Sequence, residues 1–407
     1  MKRMDFFILP FLMDLAVAVS QLMVNLRALD LGASALTIGV LLGICWGLPY
    51  VAVSIATGRT VGRIGARWTM VLGAVLFAVS VAGYGAARST WLLLVAAPFG
   101  GAGSALFWPA LQTCLPAETP DETSARSGVF NVSWTLGILL GGAGAGHLYR
   151  LSGPHASFYA VSALIGLEAV VIAMRARQTV RPASPGTSTS EATASQGRAK
   201  ALLLMARASN FALWFLGAAA GAVFPRIARA LGVDDGSIGE IAAAVWVGQV
   251  VAFAWVSRGA WWQGRVIPLA CALAVGIAAM GLLAWAAGRS DLVRDLNERG
   301  LAVNWQTGFL ASSTVAFVAG FSLVGIARAL THAASMHYSL TVGPSPEANM
   351  GYHEAIIGIG FVLGPLAAGF AADELGLQAP FVMSALVGAA ALALVLGVGR
   401  RLPGTAQ

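Results

Sequence analysis

Residues 27–46 read RALDLGASALTIGVLLGICW, and residues 229–246 read RALGVDDGSIGEIAAAVW. Arg27-Ala28-Leu29, Gly32, Ile38-Gly39 and Trp46 recur in order as Arg229-Ala230-Leu231, Gly232, Ile238-Gly239 and Trp246, after a slightly shorter connection. A second pattern repeats further along. Gly128, Gly137, Leu140, Gly141 and Gly146 reappear 223 residues on as Gly351, Gly360, Leu363, Gly364 and Gly369. With 49 glycines in 407 residues any single match is weak, but two patterns in the same order on corresponding segments mark an internal duplication.

The duplicated unit is a set of membrane spans. The chain is 57% hydrophobic and 11% charged, where a soluble domain carries roughly 25% charge. Its apolar residues fall in runs of about 20, the length of a helix that crosses a bilayer core. Such runs lie near 6–27, 36–57, 68–87, 91–114, 127–147, 156–175, 201–223, 237–257, 265–287, 312–337, 350–371 and 378–399. A water-soluble fold is excluded, and the strands of a transmembrane barrel would be shorter and alternate polar with apolar. The predicted fold class is an all-α membrane protein with twelve transmembrane helices in two pseudo-symmetric six-helix bundles.

The bundles are expected at 1–175 and 201–407, joined by a flexible linker over 176–200. Around Pro182-Ala183-Ser184-Pro185-Gly186 the linker has too little apolar surface to fold. The other long connection, Gly288 to Gly308, contains Asp291-Leu292-Val293-Arg294-Asp295-Leu296, which reads as a short surface helix. The start of the chain has some marks of a cleaved signal, with Lys2 and Arg3, an apolar run, then Ala16-Val17-Ala18. Asp14 interrupts that run and the apolar stretch continues past the supposed site, so it reads as a retained helix.

Lys and Arg positions set the orientation. Fifteen fall on the side of the termini (Lys2, Arg3, Arg59, Arg63, Arg67, Arg126, Arg175, Arg177, Arg181, Arg198, Lys200, Arg258, Arg265, Arg400 and Arg401) and eight on the other (Arg27, Arg88, Arg150, Arg226, Arg229, Arg289, Arg294 and Arg299). Both termini are therefore expected in the cytoplasm. The net charge of +7 is explained by this bias and by anionic lipid, and implies no nucleic-acid partner. Cys45, Cys114 and Cys271 share no ligand spacing, so neither a disulfide framework nor a metal site is expected. No nucleotide-phosphate loop or nucleophile–base arrangement is present, and no cofactor or enzymatic activity is expected.

With these features on the page, the chain resembles the major facilitator superfamily over its whole length. Gly58-Arg59-Thr60-Val61-Gly62-Arg63-Ile64-Gly65-Ala66-Arg67 is similar to the family's G-x3-D-R-x-G-R-R/K signature, matching at Gly58, Arg63, Gly65 and Arg67. Gly62 stands at the acidic position and Ala66 at the first of the final basic pair, which puts the loop's latching role in doubt. Span 5 resembles the antiporter signature G-x8-G-x3-G-P-x2-G-G at Gly128, Gly137, Gly141 and Gly146. Span 11 repeats it at Gly351, Gly360, Gly364-Pro365 and Gly369, a pattern that equally suits helix packing. The span-4 signature of proton-driven drug exporters, R-x2-Q-G, is absent, with Ala97 and Gly100 at its first two defined positions.

The resemblance implies that spans 1, 4, 7 and 10 line a central cavity. Ionisable groups inside spans are costly and default to function. Asp14 lies roughly 12 Å into the first span at about 1.5 Å per residue, and is the first candidate for proton or cation coupling. Glu168, an orphan mid-helix in span 6, and Glu354 follow. At the start of span 11, Glu354 faces a helix dipole that favours its charge and reads as a cap or latch before a coupling site. Arg207 and Arg328 could hold an anionic substrate group. Asn210, Gln21, Asn25, Trp108 and Gln112 are the expected lining groups. His332 and His337 fall near the inner end of span 10, where water reaches them, although His332 is kept among the lining set.

The function these observations imply is secondary transport of a small organic solute across a bacterial inner membrane, by proton-coupled efflux, in a lipid-embedded monomer. Uptake of a sugar or organic acid is the second reading, and a non-transporting receptor or scaffold the third. The bacterial assignment follows from the high Ala, Gly and Arg content with Lys2 and Lys200 as the lysines.

Overall fold

The computed structural model describes residues 5–115, 120–174, 193–256, 258–298, 308–342 and 346–402, and every regular element among them is a helix. The first, α1, runs Asp5–Asp30. The next helical stretch, Ala35–Ala86, has 52 residues, far more than the roughly 20 that one crossing needs. It breaks at Gly65, whose φ of 81° is open to glycine and strained for other residues. We label the two sides α2 (35–64) and α3 (66–86). After α4 (Thr90–Gln112), the long stretch Pro120–Met174 breaks in the same way at Gly153, with φ 72°. Pro154 follows, at a helix start where its missing N–H leaves no bond unmade. The two sides are α5 (120–152) and α6 (154–174). The second half contains α7 (Thr193–Ala230), α8 (Asp235–Val256), α9 (Ile267–Glu298), α10 (Gly308–Thr341), α11 (Pro346–Glu374) and α12 (Ala379–Gly399).

Three sequence expectations are corrected here. The signature segment after span 2 is not a loop. Gly58 and Arg63 belong to α2, Arg67 belongs to α3, and the turn is confined to Gly65. Arg67 lies over the Trp68 ring at 4.7 Å, and no atom stands within 4 Å of where a β-carbon on Gly58 would sit. The segment Asp291–Leu296 is no separate surface helix, because α9 continues unbroken to Glu298. Of the expected linker, 176–192 lie outside the described residues, and 193–200 form the first turns of α7, where Arg198 donates to the Gly264 carbonyl at 3.1 Å.

Helix packing repeats between the halves. A β-carbon on Gly137 or Gly141 would collide with the α1 backbone at Phe11 and Leu15, so these glycines seat α1 on α5. Their counterparts Gly360 and Gly364 seat α7 on α11, with Phe215 nitrogen 3.0 Å and Phe215 oxygen 2.8 Å from the respective β-carbon positions. Gly146 meets Asp235 and Gly369 meets Ala35, which brings α5 onto α8 and α11 onto α2. Gly239 closes against the Gly142 carbonyl and Gly39 against that of Pro365, along the same two seams. In lipid, where burial of apolar surface gives no drive between helices, this close approach is what holds helices together. Nothing lies within 4 Å of the corresponding point at Gly351, and the surroundings of Gly128 lie outside the described residues.

Burial separates the helices by role. Of the most apolar stretch of α7, 72% is buried, against 22% for α12, which puts α7 at the centre and α12 against lipid. Large apolar side chains such as Ile55, Val251 and Leu386 are exposed, as a lipid-facing surface requires.

Gly141→Val is expected to lower the melting temperature of the detergent-purified protein, with overpacking costing about 1–3 kcal/mol. Gly351→Ala should leave it unchanged or raise it, since the site is open and alanine favours helix by about 1 kcal/mol. A thermal shift assay on both variants checks the pair.

Candidate functional site

A cavity of about 270 Å³ lies between the two halves. Its walls come from α1, α2, α4 and α5 of the first half and α7, α8, α10 and α11 of the second. Asp14, Gln21, Asn25, Trp108, Gln112, Arg328, His332 and Glu354 all line it. Three sequence candidates do not. Glu168 sits on α6, which contributes nothing to the wall, and is buried with neither oxygen hydrogen-bonded among the described residues. On α7 the lining begins at Trp214, about one turn above Asn210 and two above Arg207. Asn210 is fully buried without a partner among the described residues, while Arg207 donates to Asn349 Oδ1 at 3.0 Å and packs near the Tyr352 ring. Arg207 thus ties α7 to α11 in one half, and depth along the helix separates it from the site.

Aromatic rings from both halves meet in the wall. Trp46 and Tyr50 stack with ring centroids 5.3 Å apart, and Trp46 meets Phe361 edge-on at 5.6 Å across the halves. Trp134 of α5 reaches Trp246 at 6.1 Å and His332 at 5.9 Å. Over Val40–Gly47 the α2 ladder widens, the Leu48 N–H bonding back to the Gly43 carbonyl, and this turn presents Trp46 and Tyr50 to the cavity. Such widened turns recur at functional sites. His332 is not at a water-exposed helix end. It is buried among Trp134, Trp214, Phe253 and His353, with the two imidazoles 4.9 Å apart. His337 lies elsewhere, against Trp262 and Tyr338.

Polar groups are sparse and placed apart. No partner for the Asp14 carboxyl lies within hydrogen-bond distance among the described residues, although its residue is buried. Glu354, from the second half, accepts from Tyr50 Oη at 2.8 Å and from Gln112 Nε2 at 2.8 Å, both of the first half. It is therefore a latch as well as a lining group. His353 beside it shares a 2.9 Å hydrogen bond with Ser335. Arg328 donates through Nε to Gln249 Oε1 at 2.7 Å and packs against the rings of Trp214 and Trp246. No group of three or more metal-ligating side chains occurs among the described residues.

Different contacts join the halves on the two sides of the cavity. On the face opposite the termini, Arg229 holds Asp235 in a fork of 2.8 and 2.9 Å and reaches across the halves to Asp30 at 2.9 Å. The Tyr149 hydroxyl donates to the same Asp30 carboxylate. His147 meets Glu240 at 2.8 Å, and Arg150 meets Asp234 at 3.3 Å. The Ser237 hydroxyl, then the Ser237 and Gly236 backbone N–H groups, hold the Asp234 carboxyl below its ordinary value, so it stays charged for Arg150. Asp373 accepts from the Leu36 N–H at 2.8 Å and pairs with Arg226 at 2.5 Å, placing an anion at the α2 N-terminus. Toward the face of the termini, the halves meet through Glu354 and ring contacts, with no ion pair between them among the described residues.

The residues at these closures were missed by sequence reasoning. Asp30, Arg150, Asp234 and Asp373 had been counted or passed over as loop charges, and only the repeat of Arg27-Ala28-Leu29 as Arg229-Ala230-Leu231 pointed there. Replacing Arg229 with Gln is expected to free the face opposite the termini. A cysteine at Gln21 should then react with an impermeant maleimide from that face about five- to tenfold faster, as loss of a networked pair worth roughly 1 kcal/mol requires.

A sequence model of the Major Facilitator Superfamily matches residues 6–294. Among solved structures, the chain is similar to a bacterial homolog of the human lysosomal transporter Spinster in its inward-facing, unoccupied conformation, at 15% identity and TM-score 0.69, covering 98% of this chain and 96% of that one. The inward-facing, occupied form of that homolog aligns at 14% identity and TM-score 0.70 with the same coverage. Among curated proteins nothing matches.

Proposed function

The chain belongs to the Major Facilitator Superfamily, a family of transporters and not of enzymes, and from that premise we propose that it moves a small organic solute by alternating access, coupled to protons. The observation that carries the proposal is a cavity shared by both halves, with unlike bonds joining the halves on its two sides. Among the described residues, ion pairs join them on one side and the Glu354 carboxylate on the other, so the proposal has each side open in turn. The charges kept in the cavity also speak against a scaffold, for which buried ionisable groups bring only cost.

Asp14 is the coupling group in this proposal. It is a carboxyl on the cavity wall with no partner among the described residues, so a proton or the solute can take it up. Glu354 acts with it. As a carboxylate it accepts two charge-assisted bonds that join the halves, and protonation weakens them and releases the latch. The face of the termini is assigned to the cytoplasm of a bacterial inner membrane, on the Lys and Arg bias. One chain completes the cavity, which supports a monomer as the working unit.

Efflux in exchange for protons rested on the glycine pattern of span 5. Its central glycines serve packing in both halves, Gly137 and Gly141 against α1 and Gly360 and Gly364 against α7, and so favour neither direction. Arg328 favours the second reading, uptake of an organic acid. An anion held there would repel the Asp14 carboxylate across the same cavity and favour its protonation, so anion and proton would travel together.

Proton flux into proteoliposomes, measured against a panel of organic acids, sugars and organic cations, tests the proposal. Solute-dependent flux should appear in the wild type and fall at least about tenfold in Asp14→Asn, since the amide carries no titratable proton. Full flux in that variant would move coupling to Glu354, and Glu354→Gln would then be the variant that loses it.

A further inference from the structure

Arg328 is 3% exposed, and its guanidinium carbon stands 4.3 Å from the Trp214 ring and 4.1 Å from the Trp246 ring. The cation packs against two aromatic rings inclined to one another, whose quadrupoles offset part of its desolvation. Nε donates to Gln249, which fixes rotation about the long side chain. Among the described residues, Nη2 has no hydrogen-bond partner and no carboxylate lies within ion-pair distance of the guanidinium. The nearest candidates for a counter-charge are on other helices. Glu354 is already bonded to Tyr50 and Gln112, and Asp14 stands on α1. A structural arginine inside a membrane protein is paired with acids or backbone carbonyls, and this one makes a single hydrogen bond.

The duplication sharpens the point. Gly101 packs on the Trp46 carbonyl and Gly325 on that of Val245, next to Trp46's counterpart Trp246, so Ser104 and Arg328, each three residues further on, lie on corresponding helices at similar depth. Both line the cavity, and the second half alone carries charge there. We infer that Arg328 is the subsite for the oxyanion end of an organic solute, a carboxylate, sulfonate or phosphate on an apolar body that packs against the tryptophans. A guanidinium braced against two tryptophan rings and tied at Nε has its Nη groups left to fork such a group. The inference rests on the transport reading above and names the substrate class for the same cavity.

The test measures binding first and flux second, on the full chain in lipid nanodiscs and then in proteoliposomes. The probes are 3-phenylpropionate, 3-phenylpropionamide and 3-phenylpropylamine, with phenyl phosphate, benzenesulfonate and inorganic phosphate. The anions with a phenyl body should bind the wild type, and the amide and amine at least about tenfold more weakly, as a charge-assisted hydrogen bond implies. Arg328→Met should lose at least about tenfold in anion affinity and melt no lower than the wild type, because it removes a buried, unpaired cation. Arg328→Lys should keep part of the affinity.

Equal binding of acid, amide and amine, preference for the amine, or no binding of any probe would overturn the subsite. A melting temperature that falls in Arg328→Met, with anion affinity kept, would make the arginine structural and overturn it as well. Inorganic phosphate binding as tightly as phenyl phosphate would overturn the organic body. Anion binding without flux in proteoliposomes would leave the subsite standing and defeat the transport reading instead.

Discussion

Helix backbones in this protein touch at points where a β-carbon would hold them apart, and the rest of the architecture depends on that contact. Inside a bilayer the hydrophobic effect does not press one helix on another, so association falls to packing and to a few polar bonds. Glycines at matching places seat α1 on α5 and α7 on α11, and so make each half a body. Others bring α5 to α8 and α2 to α11, and so make the seams between the bodies. The same residue type thus serves two purposes. Contacts within a half fix its shape, and contacts along the seams set where one half can turn on the other.

Between the seams lies the space that those turns open. Its wall carries aromatic rings and few charges, and an unpaired charge in such surroundings is costly. The polar bonds that join the halves around it divide by end. Arg229 with Asp30 and Asp235, Arg150 with Asp234, and Asp373 at the start of α2 close the face opposite the termini. Glu354 with Tyr50 and Gln112 closes the other. Ion pairs near the surface are individually weak, so the first closure is a network that can give way as a whole. Among the described residues the second runs through one carboxylate, Glu354, and in the proposed mechanism that is the end a proton addresses.

Much of the fold was legible in the sequence, because spans and their duplication rest on long runs and ordered repeats that need no knowledge of contacts. Ile38-Gly39 with Ile238-Gly239 marks the repeat, and Gly137-x3-Gly141 with Gly360-x3-Gly364 reads as helix packing, which is where α1 meets α5 and α7 meets α11. The site was legible in part. Asp14, Arg328 and Glu354 stood out as charges at membrane depth, and all three line the cavity. Arg207 stood out for the same reason and lies below it, because composition gives a span and not the depth at which a cavity floor falls. Trp46, Trp134, Trp214 and Trp246 were not singled out as a site, since tryptophan in a span also faces lipid, as Trp91, Trp255 and Trp285 do here. The gate charges were read only as a sum that orients the chain, since pairing across the halves depends on the fold.

The central claim is that the two closures open in turn. Spin labels at Leu151 and Leu375, both exposed on the face opposite the termini, and at Ile64 and Arg258 on the other face give one distance across each end. Double electron–electron resonance in nanodiscs, read as solute and pH are varied, should show the two distances changing in opposite directions, one end widening as the other narrows. Both distances moving together, or neither moving while flux persists in the labelled protein, would contradict alternating access by these two halves.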